Sequence, residues 1–477
     1  MPPSRQQRAF PHMSERSGVA VVLGGSLAGL LAARALTSFV DRVVVVERDA
    51  LPAGPEPRAG LPQARHVHQL WSGGARALER LVPGVTERLR AAGVTRLPVT
   101  TDMVVLSPHG WFRRWNESAF LLPASRDLLD WVVRTQILAD PRIQLVERAE
   151  ALGPVGTDAA VTGVRIRDRD GAERTLPAGL VVDATGRGSR APQWLTSLGL
   201  PAPERREVNP GLAYATRLFR APEPARNGFP LVNVQADPRD RRPGRGGVLM
   251  PVEHGRWMVT LHGSRGHEPT ADAADFLRYA REELRHPLIA ELLARAEPLG
   301  EEVAFTRTTA NRRHFFERMP MWPENFVVLG DAVCALNPVY GHGMSVAAQG
   351  ALALQEVMSR QGPGAPGLAR RIQQAVSRPV RAAWDLSTGA DVFYPGATET
   401  GPTLRERITA AYVGRLLHTA TGNGRIARRV TDVTSLERGS GVLLAPSVVV
   451  AAMVGPLKPA LGGPPLTAEE LKAAGLG

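Results

Sequence analysis

Residues 18–50 read GVAVVLGGSLAGLLAARALTSFVDRVVVVERDA. An unbroken apolar run, Val19 to Leu23, leads into glycines. Leu27, Leu30, Leu31 and Leu36 then recur at helical spacing, and a second valine run follows from Val43 to Val46. Apolar runs without alternation mark strands buried on both faces, and a 3.6-residue recurrence marks a helix. The segment therefore predicts strand, glycine turn, helix, strand. A βαβ unit of this kind opens an α/β fold with a parallel sheet.

The turn carries chemistry as well as shape. Gly24 and Gly29 fill the first and third positions of a G-x-G-x-x-G pattern, and Ser26 stands at the second. Such glycines permit a tight turn and close approach of backbone to a pyrophosphate, which the N-terminus of the following helix then faces with free N–H groups. Glu47, 23 residues after Gly24 at the end of the second strand, is placed to accept hydrogen bonds from an adenosine ribose. Gly25, Ala28 and Arg48 are counted with this Rossmann-like site.

Outside that unit the chain excludes several classes. At 477 residues it exceeds one comfortable core. A single cysteine, Cys334, rules out an internal disulfide and a cysteine-rich zinc site. The net charge of +12 is carried by scattered arginines, the only lysines being Lys458 and Lys472. Scatter argues against nucleic acid, and the missing lysines remove a P-loop. Gly18 to Leu36 is too interrupted by Gly24, Gly25, Gly29 and Arg34 to span a membrane, and the shorter apolar run 441–455 contains Pro446. A cytoplasmic protein without integral membrane insertion is expected.

Five segments are predicted. Residues 1–17 form a flexible N-terminal segment. Residues 18–204 build a nucleotide-binding lobe, with a hairpin insertion near 101–122. Residues 205–320 form a β-sheet substrate lobe of α+β character, residues 321–361 complete the first lobe, and 362–477 are a helical region broken by prolines.

Residues 330–345, GDAVCALNPVYGHGMS, place Asp331, Cys334 and His342 close in sequence and superficially suggest a catalytic triad or a metal site. Preceded by ENFVVL, the stretch instead resembles the flavin-ribityl motif of FAD-dependent monooxygenases related to para-hydroxybenzoate hydroxylase. RAGLPQ (58–63), SRDLLDW (125–131) and DATGRGS (183–189) resemble further segments of that family in the same order, and the likeness runs through most of residues 18–360. The resemblance implies that FAD is bound by Arg58, Arg126, Asp183, Gly330, Asp331, Pro338, Gly341, His342, Gly343 and Met344, together with the first glycine turn. This chain departs from the family at Cys334, often His; at Ser345, often Asn; and at Ala184, normally Gly.

Four stretches, including PQARHVHQLWSGGARALERLVPG (62–84) and GLAYATRLFRAPE (211–223), resemble the actinobacterial polyene epoxidases of polyether-ionophore pathways. That likeness implies epoxidation of a linear polyene polyketide through a flavin C4a-hydroperoxide, with dioxygen as co-substrate. Such chemistry asks for a dry apolar cavity and names no general base. His66, Phe229, Leu249, Trp257 and Tyr340 are the expected substrate pocket, with Met250 and Met258 as further candidate lining. His66 and His68 lack a ligand partner at metal spacing, so no metal is expected. With one dinucleotide fingerprint, electrons come from NAD(P)H directly or through a separate flavin reductase. A polyketide synthase carrier protein is the other expected partner. The alternatives are an FAD-dependent aromatic hydroxylase and an alkene reductase of the geranylgeranyl-reductase type. A halogenase is disfavoured because no lysine precedes Lys458.

Overall fold

The computed structural model describes residues 18–58, 60–116, 118–238, 240, 243–307 and 310–477. The segment 1–17, expected to be flexible, lies outside them. Five parallel strands form the first sheet, in the order Phe326–Val328, Leu180–Asp183, β1 (Val19–Leu23), β2 (Arg42–Glu47) and Ile143–Glu147. The glycine turn after β1 leads into α1 (Leu27–Leu36), which packs against the long helix Gly343–Gln361. That helix is packed in turn by Ser72–Leu81 and Leu368–Asp391. All five residues of β1 are buried, which explains its lack of alternation. The fold is α/β with a Rossmann-like nucleotide-binding sheet, further sheets and C-terminal helices.

The second large sheet has eight strands and is mainly antiparallel. Leu212–Arg220, Arg256–Ser264, Gly246–Val252 and Leu231–Val234 follow one another across it. The hairpin expected as an insertion in the first lobe belongs by hydrogen bonding to this sheet. Its strand Met103–Ser107 pairs in parallel with Leu231–Val234, with Leu106 opposite Val234. Val104 and Leu106 thereby join the apolar core behind the sheet.

Alternation divides the sheet into two unlike faces. Phe219, Leu249, Trp257 and Val259 point outward into a core covered by helices Ala273–Glu282 and Leu288–Leu293. Phe229 packs on Trp257 in the same core, with ring centroids 4.9 Å apart. Phe229, Leu249 and Trp257 therefore do not line the expected pocket. Their strand neighbours Met250 and Met258 occupy the opposite, inner face with Met103, Leu231, Leu121 and Trp71. A step of one residue along a strand exchanges the faces, and apolarity alone does not choose between them.

Beyond residue 362 the chain is helical, but Pro379 does not break it. The helix Leu368–Asp391 continues through that residue, held by buried Ile372, Val376, Val380, Ala383 and Trp384. Among the described residues no helix is long and apolar enough to cross a membrane.

One contact fixes the first turn. A β-carbon placed on Gly29 would lie 1.8 Å from the carbonyl oxygen of Gly24, so only glycine fits there. Gly29→Ala is expected to destabilise the protein by at least about 1–3 kcal/mol, as overpacking against an unyielding neighbour does, read as a lower urea midpoint.

Candidate functional site

The open end of the site is built around the start of α1. Ser26 occupies the N-cap position, yet its side chain caps nothing; its Oγ accepts a hydrogen bond from Arg126 at 3.2 Å. The first turn of α1 thus has no side-chain cap, which suits an anionic ligand. Glu47 accepts the Gly25 N–H through Oε2 at 2.7 Å and the Asp49 N–H through Oε1 at 3.0 Å. Arg58 pairs with Glu47 at 2.9 Å, donates to the Gly25 carbonyl at 3.2 Å, and lies 3.6 Å from Asp130. Asp130 also pairs with Arg134 at 3.0 Å and Arg126 at 3.5 Å. All five side chains are buried, so three guanidinium groups face two carboxylates and leave one positive charge beside the uncapped helix end. Arg48 lies outside this cluster, exposed and near Asp49.

A second turn meets the first. Gly330 follows the strand Phe326–Val328 with φ of 65°, and a β-carbon there would come within 2.8 Å of the Ala28 methyl. Asp331 comes next. It is the one exposed residue in an otherwise buried run from Phe326 to Asn337. No protein group among the described residues hydrogen-bonds or ion-pairs with its carboxylate. Ringed by protein yet open to solvent, that carboxyl is pushed up by desolvation, against the pull of Arg187 and Arg126. Pro338, Tyr340, Gly341 and Gly343 are half-buried and continue the same wall. A β-carbon on Gly343 would meet only Asp331 Oδ1, at 3.8 Å. The helix starting at Gly343 is also uncapped by any side chain. A free carboxylate, a wall opened by Gly341 and Gly343, and two uncapped helix starts fit a polyol diphosphate carrying a flat, electron-accepting ring. FAD is such a molecule.

The cradle is held from below by residues that motif reading missed. Asp391, fully buried at the end of the helix Leu368–Asp391, accepts hydrogen bonds from Tyr340 Oη at 2.6 Å, Asn311 Nδ2 at 2.7 Å and Asn337 Nδ2 at 2.8 Å. Asn337 caps the turn Pro338–Tyr340 and accepts a hydrogen bond from the Tyr214 hydroxyl on the second sheet. Trp71 Nε1 donates to the Tyr340 carbonyl at 3.1 Å. Asp391 carries no recognisable motif; it is the one charged residue among the buried positions of its helix.

Several expected site residues are committed elsewhere. Asp183 accepts from Thr185 N at 2.9 Å, Thr185 Oγ1 at 2.6 Å and Ser189 Oγ at 2.6 Å, so it organises its own loop. Tyr340 serves Asp391 rather than a substrate. His342 is tied to the C-terminal helices: its Nε2 donates to the Thr434 carbonyl at 2.9 Å, leaving Nδ1 buried without a partner among the described residues. Burial lowers the pKa of this imidazole to about 4, so it is neutral at neutral pH. Met344 is packed in the main core. Cys334 is buried too, its thiol pushed up by desolvation, which makes it a poor nucleophile. Asp331, Cys334 and His342 share no hydrogen bond, and no cluster suited to a metal occurs among the described residues. His66 sits on the inner face of the second sheet, 2.8 Å from Thr216 Oγ1, which is 2.6 Å from Thr260 Oγ1.

Burial raises Asp391 to about 6, against its three donors. Between about pH 4 and 6 the folded protein keeps a proton that the unfolded chain has released. Stability contributed by this group is therefore complete below about pH 4 and is lost as pH rises through 6, by about 1.4 kcal/mol per unit. Urea titrations at several pH values are expected to show this slope in the natural protein and not in Asp391→Asn.

Residues 20–194 match the FAD dependent oxidoreductase family. Protein Rv3254 of Mycobacterium tuberculosis is 32% identical over 398 residues, covering 80% of this chain and 81% of that protein. Among solved structures, a flavoprotein/dehydrogenase from Cytophaga hutchinsonii superposes with a TM-score of 0.62 at 15% identity, over 91% of this chain and 97% of its own. The p-nitrophenol 4-monooxygenase PnpA from Pseudomonas putida gives 0.61 at 19% identity, over 90% and 100%. These two show the fold. The glycine turn and the acid-ended second strand lie within the residues that match the FAD dependent oxidoreductases, and the chain belongs to one family with Protein Rv3254.

Proposed function

We propose that the protein is a flavin-dependent monooxygenase that epoxidises a carbon–carbon double bond of a hydrophobic linear polyene, a polyketide of the polyether type. The observation that supports this reading is the inner face of the second sheet. Met103, Leu231, Met250 and Met258 cluster there with Leu121 and Trp71, and Trp71 itself hydrogen-bonds the cradle. Half-buried Val67, Val105, Leu218 and Val248 border the cluster. Thioether and aliphatic side chains exclude water and adapt to a long apolar chain. Bound FAD, once reduced, supplies the activation of dioxygen from which one oxygen atom is transferred.

The protein's own part is to orient and to keep dry. Asp331 is placed for a cofactor hydroxyl, and Arg58 and Arg126 for the anionic linkage. The inner-face side chains present the alkene. No ionised base is needed on that face, and burial leaves both His66 and His262 neutral, each lowered to about 4. The reductant is proposed to be NAD(P)H, acting directly or through a flavin reductase.

A second reading has one specific observation in its favour. Val67 N–H donates to Thr260 Oγ1 at 3.1 Å, and the Thr260–Thr216–His66 chain follows. If each hydroxyl proton is used along the chain, His66 Nδ1 accepts and Nε2 carries a proton toward unpartnered space. Such a donor suits an oxygen on the substrate, as in aromatic hydroxylation.

Incubation of the holoenzyme with a linear polyketide triene, NADPH, a flavin reductase and labelled dioxygen separates these readings by mass spectrometry. One labelled oxygen per epoxide is expected. A saturated, unlabelled product would contradict the proposal and indicate an alkene reductase, whereas label on a phenolic probe alone would favour the hydroxylase. Met258→Trp, filling the inner face, is expected to lower kcat/KM by about tenfold or more while the flavin spectrum is unchanged.

A further inference from the structure

Of the twelve exposed large apolar side chains among the described residues, eight lie between Leu404 and Leu457. The densest group is at the chain's last long helical turn. Helix Pro446–Val454 buries Val448 and Ala452 against Leu416, Ile426 and Ala427. On its other side, Val450, Met453 and Val454 follow at i, i+3 and i+4, and Leu457 continues the row. With Leu444 these residues are 54% to 70% exposed. The helix is thus apolar on both faces, although only one is covered. Soluble monomers rarely leave a contiguous apolar patch of this kind open.

Residues 439–468 contain no aspartate or glutamate. Arg415 donates to the Ala452 carbonyl at 2.6 Å and to that of Met453 at 2.9 Å, at the helix's C-terminal end. Arg113 donates to the Pro459 carbonyl at 2.8 Å, and Lys458, next to Leu457, stands over the Trp115 ring. An apolar row bordered by cations complements a surface that is apolar inside and anionic at its rim. A second copy of the chain would bring the same cations against these.

We propose that the face formed by Leu444, Val450, Met453, Val454 and Leu457 docks the protein peripherally on an anionic lipid bilayer. The helix is nine residues long and lies on the surface, so it inserts side chains without spanning. This inference stands apart from the epoxidase reading and holds for any substrate.

The test is co-sedimentation of the full-length holoenzyme with vesicles of phosphatidylcholine alone, or of phosphatidylcholine with phosphatidylglycerol. The natural protein is expected to pellet with the anionic vesicles and to be partly released by salt. Val450→Asp with Met453→Asp, both at exposed positions, is expected to lower partitioning about tenfold or more with the flavin spectrum intact. Should that double variant not fold, Leu457→Ser, beyond the helix end, reads the same partition. Protein that stays in the supernatant with both vesicle types, or variants that bind as well as the natural protein, would overturn the proposal. So would a dimer in light scattering that the double variant dissociates without any vesicle binding, which would assign the face to a second copy.

Discussion

Everything at the site depends on two turns pressed together where side chains leave no room. The turn after β1 closes because Gly29 sits on the Gly24 carbonyl, and the turn after Phe326–Val328 reaches it because Gly330 lies against the Ala28 methyl. These contacts set two helix starts, that of α1 and that of Gly343–Gln361, around one slot with Asp331 between them. Neither start is capped by a side chain. Because unsatisfied N–H groups at a helix start favour negative charge, the slot is prepared for an anionic, hydrogen-bonding ligand before any ligand arrives.

The surrounding charges maintain that preparation. Arg58 is held by Glu47 and Asp130, and Arg126 by Ser26 and Asp130, so both guanidinium groups are fixed in position. Asp391 performs the corresponding task below the cradle, tying Asn311, Asn337 and Tyr340 to the C-terminal helices. His342 adds a tie to Thr434. The helical region after residue 362 thus supports the site from outside the shared motifs, and Tyr214 links it to the sheet whose inner face is proposed to hold the substrate.

The strands and helices around residues 18–50 and 330–361 were legible because local pattern dictates them. Apolar runs, glycines and helical spacing leave few other ways to fold. What escaped was whatever depends on partners distant in sequence. Alternation shows that Leu249 and Met250 point to opposite faces but not which face meets the flavin lobe. The parallel pairing of Met103–Ser107 with Leu231–Val234 spans more than a hundred residues and has no local signature. Asp183 and His342 fall within familiar motifs, yet Asp183 is bonded by Ser189 and the Nε2 of His342 by Thr434. Asp391 is hidden for the converse reason, since nothing near it in sequence shows that three donors converge there.

The central claim is that Asp331, alone among the carboxylates of the site in lacking a hydrogen-bond or ion-pair partner among the described residues, is kept for the cofactor. The most direct measurement is FAD content and affinity of Asp331→Ala beside Asp331→Asn, each titrated with FAD after removal of bound flavin. Loss of a charge-assisted hydrogen bond is expected to weaken FAD binding about tenfold to a hundredfold in Asp331→Ala, with a smaller loss in Asp331→Asn, whose amide oxygen still accepts. Full, unweakened FAD binding by a correctly folded Asp331→Ala protein would contradict the account.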